Sequence, residues 1–175
     1  MPLIKTQADI TRIQALIGAP RYNQLRSVIA PFVTRAETVR SLLPPGLEPG
    51  ERPVVTAIVT HFGRSNYTGT LDFATLLVDA RHGEHLGTYA VAMYVSTEPA
   101  LIYGRELFGE PKKLAEGALE RRGSSVTGEC RRHGATLLSI QAELESEVPV
   151  TTGQFVLFNY RYRLAENWDT LMIHW

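Results

Sequence analysis

The sequence predicts an α+β domain of mostly antiparallel β-strands with a few short helices. From Pro53 onward, apolar and β-branched residues alternate with a period of two in a series of short runs. Clusters rich in Gly, Asn, Ser and His separate these runs, as the turns of hairpins do. So many strands would leave exposed edges in a flat sheet, and the sequence therefore favours a β-barrel, a cone or a curled double sheet.

Length and composition predict a single domain over residues 1–175. Hydrophobic residues make up 44% of the chain and charged residues 21%, which is typical of globular proteins. The 18 basic and 18 acidic residues leave no positive excess to neutralise phosphates, so we expect no nucleic-acid partner. Cys130 is the only cysteine, which excludes an intramolecular disulfide. Because the chain has no long apolar run, we expect a cytoplasmic protein without a membrane partner.

Two helices are predicted near the N-terminus. Apolar residues recur at helical spacing over residues 8–17, ahead of a Gly-Ala-Pro segment that ends the pattern. A second helix is predicted to begin at Thr34, because Thr34 and Glu37 have the spacing of a capping box, and to end before Pro44. Residues 25–32, between the two helices, suit a strand.

The remaining strands follow as alternating runs separated by turns. The predicted strands cover residues 53–62, 71–80, 85–95, 112–122, 125–132, 135–145, 154–164 and 169–175. The predicted turns cover residues 64–66, 82–84, 123–125, 133–134 and 165–167.

A third helix interrupts the strands. Thr97, Glu98 and Pro99 supply an N-cap, an acidic first turn and an early proline, and Gly109 ends the helix. The segment that follows therefore lies where a helix gives way to a strand.

This segment contains a lysine pair, Lys112-Lys113, directly after Pro111. A lysine amine is a nucleophile only when it is deprotonated. In an extended strand the two ammonium groups point to opposite faces, roughly 8 Å apart, and repel by on the order of 2 kcal/mol. Burial favours the neutral amine more strongly than that repulsion. We predict that Lys112 points into a cavity while Lys113 faces away and pairs with a carboxylate; two solvated lysines are the alternative.

Other chemistries find no support in the sequence. The five histidines lack metal-ligand spacing, so no metal site is predicted. There is no GxSxG motif for a nucleophilic serine and no phosphate-binding glycine loop.

Three motifs surround the lysine pair in order: Glu98-Pro99-Ala100, Gly104-Arg105-Glu106-Leu107 and Pro111-Lys112-Lys113-Leu114. Their order and spacing resemble those of the acetoacetate decarboxylase family, and a fainter similarity covers most of the chain. The resemblance implies an acetoacetate decarboxylase-like β-barrel or cone. It also implies a lyase that uses neither a metal nor an organic cofactor.

The resemblance further implies roles for the motif residues. Lys112 attacks the ketone of acetoacetate or a related small β-keto acid, and the resulting Schiff base accepts the electron pair as carbon dioxide leaves. Lys113 is the charged neighbour that favours the neutral amine, as is known for acetoacetate decarboxylase. Apart from the resemblance, we expect Arg105 and Glu106 to support the lysine turn as an ion pair at the helix end, and Glu98 either to do the same or to favour its helix N-terminus electrostatically.

The sequence departs from the family pattern at the residues that approach the lysine. An arginine and two glutamates of the family have no direct counterparts, and Arg26 and Asp72 are the nearest candidates for binding substrate. Glu110 stands where the family more often has an aromatic or apolar residue. It shares a face with Lys112, where a carboxylate either opposes activation of the amine or acts as a general acid or base.

These departures leave three functions open. Decarboxylation of a β-keto acid is the leading hypothesis, and aldol or dehydration chemistry of an oxo acid through the same imine is the alternative within enzymes. A ligand-binding barrel without catalysis is the third. The chain ends in a strand-like run at Ile173-His174-Trp175, where the family continues, so we expect the last elements of the fold to be missing and a homo-oligomer to form.

Overall fold

The computed structural model describes residues 4–149, 155–163 and 166–174 and confirms the predicted α+β class. These residues form three helices and eleven strands. In chain order they are α1 (Gln7–Gly18), β1 (Tyr22–Val33), α2 (Ala36–Leu42), β2 (Glu48–Pro49), β3 (Val54–Ser65), β4 (Leu71–His82), β5 (His85–Val95), α3 (Glu98–Phe108), β6 (Lys112–Leu114), β7 (Glu116–Arg122), β8 (Ser125–Arg132), β9 (Ala135–Glu143), β10 (Val156–Arg163) and β11 (Glu166–His174).

The strands form two open sheets. The large sheet has the order β1-β3-β4-β5-β10-β11, with β2 added beside β4 and β6 beside β5, and the small sheet has the order β7-β8-β9. Strand β5 pairs in parallel with β6 and β10, and the other pairs are antiparallel. The predicted double sheet is therefore confirmed. The predicted closed barrel is not formed by the described strands, because β1 and β11 end the large sheet without pairing with each other.

The N-terminal helices differ in how they begin. The first confirms its prediction and has a capping box, in which Thr6 Oγ1 accepts from the Asp9 amide and the Asp9 carboxylate accepts from the Thr6 amide. The capping box predicted at Thr34 is wrong, because α2 begins at Ala36 and has no side-chain cap. The Thr34 amide instead donates to the Pro53 carbonyl, which extends the contact between β1 and β3.

Most predicted strands are present, with differences at their ends. The predicted run 112–122 divides at Ala115, because β6 pairs with β5 in the large sheet while β7 pairs with β8 in the small sheet. The turn predicted at residues 64–66 begins later, since β3 continues through Ser65. The turn predicted at residues 165–167 is wrong in its described part, because β11 begins at Glu166. The residues of the last two predicted strands and this turn that lie outside the described ranges are Gln154, Leu164, Ala165 and Trp175.

The core lies between the two sheets. Val28, Ala57, Val59 and Ala74 of the large sheet pack against Val126, Cys130 and Ile140 of the small sheet. We call this side of the large sheet the filled face. None of the described helices has the length and apolar sequence needed to cross a membrane.

Candidate active site

The opposite side of the large sheet, the cavity face, lines a cavity of about 350 Å³. This volume lies at the lower end of the range of about 300–1,000 Å³ seen for small-molecule sites. The walls are mostly apolar and come from alternate residues of β1, β3, β4 and β5, with α3 along one side; they include Leu25, Ile29, Ile58, Phe62, Phe73, Leu77 and Met93. Glu110 and Lys112 are the charged residues that line it among those described.

The turn between α3 and β6 brings these two residues to the cavity. Gly109 has a φ of 69°, a left-handed conformation that favours glycine. Its amide donates to the Arg105 carbonyl, and the Glu110 amide donates to the Gly104 carbonyl. The predicted helix terminator at Gly109 is thus confirmed, and the chain leaves the helix directed at the cavity.

Lys112 and Glu110 are in direct contact. Lys112 Nζ lies 2.6 Å from Glu110 Oε2, and the side chains are only 14% and 8% exposed. Oε2 accepts no hydrogen bond of favourable angle within the described part of the chain, so this short contact lacks hydrogen-bond geometry. The predicted orientation of Lys112 into a cavity, on the same face as Glu110, is confirmed.

Lys113 faces the other way and is exposed, as predicted. Its predicted carboxylate partner is absent: within residues 4–149 and the described strands that follow, no carboxylate lies within 4.0 Å of its amine.

Gly104, in the second motif, allows α3 to lie directly against the charged pair. A Cβ atom at this position would overlap Glu110 Oε2 and Lys112 Cδ and would lie 2.8 Å from Lys112 Nζ. Gly104 is buried, and the site requires a residue without a side chain at this position.

The other motif residues lie at the rim of the turn. Arg105 is exposed and its Nη1 donates to the Lys112 carbonyl over 3.4 Å. Glu106 and Glu98 are exposed, and neither forms an ion pair with a described residue. The predicted ion pair between Arg105 and Glu106 is thus replaced by a contact from Arg105 to the backbone of the lysine itself.

Arg26 and Asp72 do not reach the cavity. Strand alternation directs their neighbours Leu25 and Phe73 into it, so Arg26 and Asp72 point to the opposite side of the large sheet. Asp72 Oδ1 lies 2.7 Å from His61 Nδ1 there. The candidate substrate contacts predicted for these two residues therefore have no support from their positions.

The sequence analysis missed the uncharged polar residues that line the cavity: Ser27, Thr60 and Thr75 on the strands, Tyr22 at the start of β1, and Tyr67 and Thr68 between β3 and β4. The hydroxyl groups of Tyr22 and Tyr67 are hydrogen-bonded to each other. No spacing pattern links them, since they are far apart in the sequence and meet only through the register of β1 with β3.

The tyrosines stay protonated at neutral pH. Burial raises the pKa of Tyr22, and the bond to Tyr67 and the negative charge of Glu110 raise it further. Burial also raises the pKa of Tyr67, against a lowering by its bond to Tyr22, and the charge of Glu110 adds to the rise. Glu110 therefore lies close enough to act on both hydroxyl groups.

Sequence comparison identifies related proteins. The family model described as acetoacetate decarboxylase (ADC) matches residues 1–170. The chain is 28% identical over 133 residues to the CLA biosynthesis isomerase of Lactiplantibacillus plantarum, covering 73% of this chain and 47% of that protein. It is 29% identical over 112 residues to an acetoacetate decarboxylase of Burkholderia vietnamiensis, covering 64% and 45%. The chain thus spans about half the length of these curated relatives.

Solved structures share the fold. Acetoacetate decarboxylase from Legionella pneumophila superposes with a TM-score of 0.74 at 16% identity, covering 89% of this chain and 65% of that one. The enduracididine biosynthesis enzyme MppR, complexed with pyruvate, superposes with a TM-score of 0.71 at 14% identity, covering 86% and 67%. With the family match over nearly the whole sequence, these findings show that the chain belongs to the acetoacetate decarboxylase family.

Proposed function

We propose that this member of the acetoacetate decarboxylase family forms an imine between Lys112 and the ketone of a small oxo acid, and that it decarboxylates acetoacetate or a related β-keto acid. The observation that carries the proposal is the contact of 2.6 Å between Lys112 Nζ and Glu110 Oε2 at a mostly apolar cavity. The carboxylate is a group that can receive a proton from the amine, and the cavity has room for the ketone that the amine attacks.

Glu110 is proposed to manage the protons of imine formation. Glu110 accepts the proton that the Lys112 ammonium group must lose before its nitrogen can attack. The free amine then attacks the ketone carbon to give a carbinolamine. Glu110, now a carboxylic acid, returns a proton to the departing hydroxyl group, which leaves as water.

The positive imine is proposed to drive decarboxylation. As the bond to the carboxylate carbon breaks, its electron pair moves toward the imine nitrogen, and carbon dioxide and a neutral enamine result. Protonation of the enamine carbon and addition of water then release the ketone and restore Lys112. Throughout, the Glu110 carboxylate faces the nitrogen on which positive charge forms and is lost, which stabilises that charge.

Lys113 is proposed to contribute less than burial does to making the Lys112 amine nucleophilic. Its side chain is exposed on the other side of the strand, where water and salt weaken its effect on Lys112. The charged neighbour implied by the family resemblance is present in the sequence, but desolvation of Lys112 is the larger influence in this proposal.

Aldol or dehydration chemistry is a second candidate, favoured by the carboxylate beside the lysine. A base next to an imine can remove a proton from the carbon adjacent to the imine carbon. The enamine then forms by loss of a proton rather than by loss of carbon dioxide. MppR, which shares the fold, has been solved with the condensation product of pyruvate and imidazole 4-carboxaldehyde. The same imine in this chain would serve either reaction.

Borohydride trapping tests the imine. The protein is reduced in the presence of acetoacetate or pyruvate, and the modified peptide is identified by mass spectrometry. We expect an adduct at Lys112, no adduct in Lys112→Ala, and a retained adduct in the matched control Lys113→Ala. Trapping together with release of carbon dioxide from acetoacetate supports decarboxylation, and trapping without it supports the aldol alternative. If no oxo acid modifies Lys112, the chain is a ligand-binding protein instead.

Replacing the carboxylate tests the role of Glu110. In Glu110→Gln we expect the rate of trapping at Lys112 to fall about 100-fold or more, as for the loss of a general acid or base. Glu106→Gln, an exposed carboxylate on the preceding helix, is the matched control and should trap at the wild-type rate. Faster trapping in Glu110→Gln would show that the carboxylate opposes activation of the lysine.

A further inference from the structure

Three hydroxyl groups lie together at the cavity that holds Lys112. We refer to Tyr22, Tyr67 and Thr68 as the hydroxyl cluster. They come from two separate elements, the start of β1 and the loop between β3 and β4, and all three line the cavity. The proposed mechanism assigns no role to them.

The surrounding side chains hold the cluster in place. The Tyr22 ring packs on Phe62 with centroids 4.9 Å apart, and the Tyr67 ring packs on Tyr103 with centroids 5.8 Å apart. The loop is pinned by Ser65 Oγ, which accepts from the amides of Tyr67 and Thr68 over 3.3 Å each. The hydroxyl groups are thus positioned before any ligand arrives.

The cluster has donors to spare. Thr68 is 6% exposed, and its Oγ1 has no hydrogen-bond partner within the described ranges. The hydrogen bond between the Tyr22 and Tyr67 hydroxyl groups uses the proton of one of them. The proton of the second hydroxyl group can donate to a ligand. Buried polar groups are normally paired, so the unpaired Thr68 hydroxyl beside the cavity is a candidate donor to a bound molecule.

The remaining polar groups of the described lining are already engaged. The hydroxyl groups of Ser27 and Thr60 bond to each other over 2.7 Å, and Thr75 donates to the Ala92 carbonyl over 2.9 Å. The Lys112 amine contacts Glu110. The pair formed by Ser27 and Thr60 keeps one spare proton, as the tyrosine pair does, so the hydroxyl cluster supplies two of the three unused hydroxyl donors that the described lining offers to an acidic ligand.

We propose that the hydroxyl cluster is the subsite that binds the carboxylate of the oxo acid whose ketone Lys112 attacks. This inference rests on the proposed function for the identity of its ligand. One proton from Thr68 and one from the tyrosine pair match the two oxygens of a carboxylate. The cluster and Lys112 line the same cavity of about 350 Å³, so a small oxo acid held there has both within one enclosed space.

Acetone, which has the ketone of acetoacetate but no carboxylate, tests whether the hydroxyl cluster binds the carboxylate. Borohydride trapping is measured against concentration for acetoacetate and for acetone in the wild type, Tyr67→Phe and Thr68→Val. We expect each variant to need about ten-fold more acetoacetate for half-maximal trapping, the worth of one hydrogen bond to a charged group, with acetone unaffected. Tyr94→Phe, which removes a tyrosine hydroxyl from the filled face, is the matched control.

Two results would overturn the subsite. Equal losses with acetone and acetoacetate would mean that the cluster acts on the ketone oxygen, and no loss with either would mean that it binds nothing. Titration of the wild type, Tyr67→Phe and Thr68→Val with butyrate, followed by NMR, tests the subsite without any imine, because butyrate has no ketone. Weaker butyrate binding in the variants would support the subsite even if Lys112 traps no oxo acid, and unchanged or undetectable binding would refute it.

Discussion

The two faces of the large sheet consist of the same strands but have opposite surroundings. On β3, Val59 points into the filled face and is fully buried, while its neighbours Ile58 and Thr60 point to the cavity. The same alternation on β1 sends Val28 to the core and leaves Ile29 59% exposed at the cavity. The apolar residues of a strand face therefore do not show whether that face is the filled face or the cavity face. The difference is whether the small sheet covers it.

Two glycines show what each face requires. Gly128 of the small sheet lies so close to the filled face that a Cβ there would be 2.6 Å from Val28 Cγ1 and 2.8 Å from Val59 Cβ. Gly104 of α3 lies equally close to the charged pair at the cavity. One glycine permits aliphatic packing and the other permits a close approach to Lys112 and Glu110, so substituting each should affect a different property.

The largest expected effect is on chemistry at the cavity face. Gly104→Ala should lower the rate of borohydride trapping with acetoacetate about 100-fold, because the added methyl group displaces the ends of Lys112 and Glu110 from their contact. Stability should change little, since these ends can move and alanine favours a helix. Urea unfolding measured beside trapping checks this, and wild-type trapping would contradict the tight packing at Gly104.

The next effect is on stability at the filled face. Gly128→Ala should lower the free energy of unfolding by about 1–3 kcal/mol, because Val59 Cβ is tied to the backbone and cannot move away cheaply. The rate of trapping at Lys112, measured on the folded protein, should be unchanged. A loss of trapping without a loss of stability would show that the two faces are coupled.

The smallest effect concerns pH. The pKa of Tyr22 is raised in the folded protein above its ordinary value near 10, so the stability linked to it is present below about pH 10 and is lost as pH rises further. The free energy of unfolding should therefore decline above pH 10 in the wild type and decline less in Tyr22→Phe. Urea unfolding at pH 8, 9, 10 and 11 measures both slopes, and parallel slopes would show that Tyr22 makes no contribution.

Much of the fold follows from local patterns. The strand runs at 85–95 and 125–132 were predicted with the bounds that the structure has, because two-residue turns at Gly-containing sites interrupt strict alternation. The start of α2 was mispredicted, because Thr34 has a capping sequence but its amide is used by β1 and β3. The division of residues 112–122 at Ala115 was also missed, since a continuous alternation does not reveal a change of sheet.

The site was predictable where its residues are adjacent in sequence. Lys112 and Glu110 are two residues apart, so strand alternation alone places them on one face. Tyr22, Tyr67 and Thr68 gave no signal, because tyrosine and threonine are ordinary strand and loop residues. Arg26 and Asp72, predicted from their nearness in sequence to the family's arginine and glutamate positions, lie on the other side of the sheet. The single domain, the cytoplasmic location and the homo-oligomer stay predictions.

The sequence by itself determined the strand periodicity, the glycine-terminated helix and the shared direction of Lys112 and Glu110, because each depends on dihedral preferences and spacing within a few residues. Only the tertiary structure decided which face of the large sheet is covered by the small sheet and which forms the cavity. It also decided that Gly104 packs on the charged pair and that Tyr22 meets Tyr67. These contacts depend on strand register and on packing between distant segments, which local residue patterns do not specify.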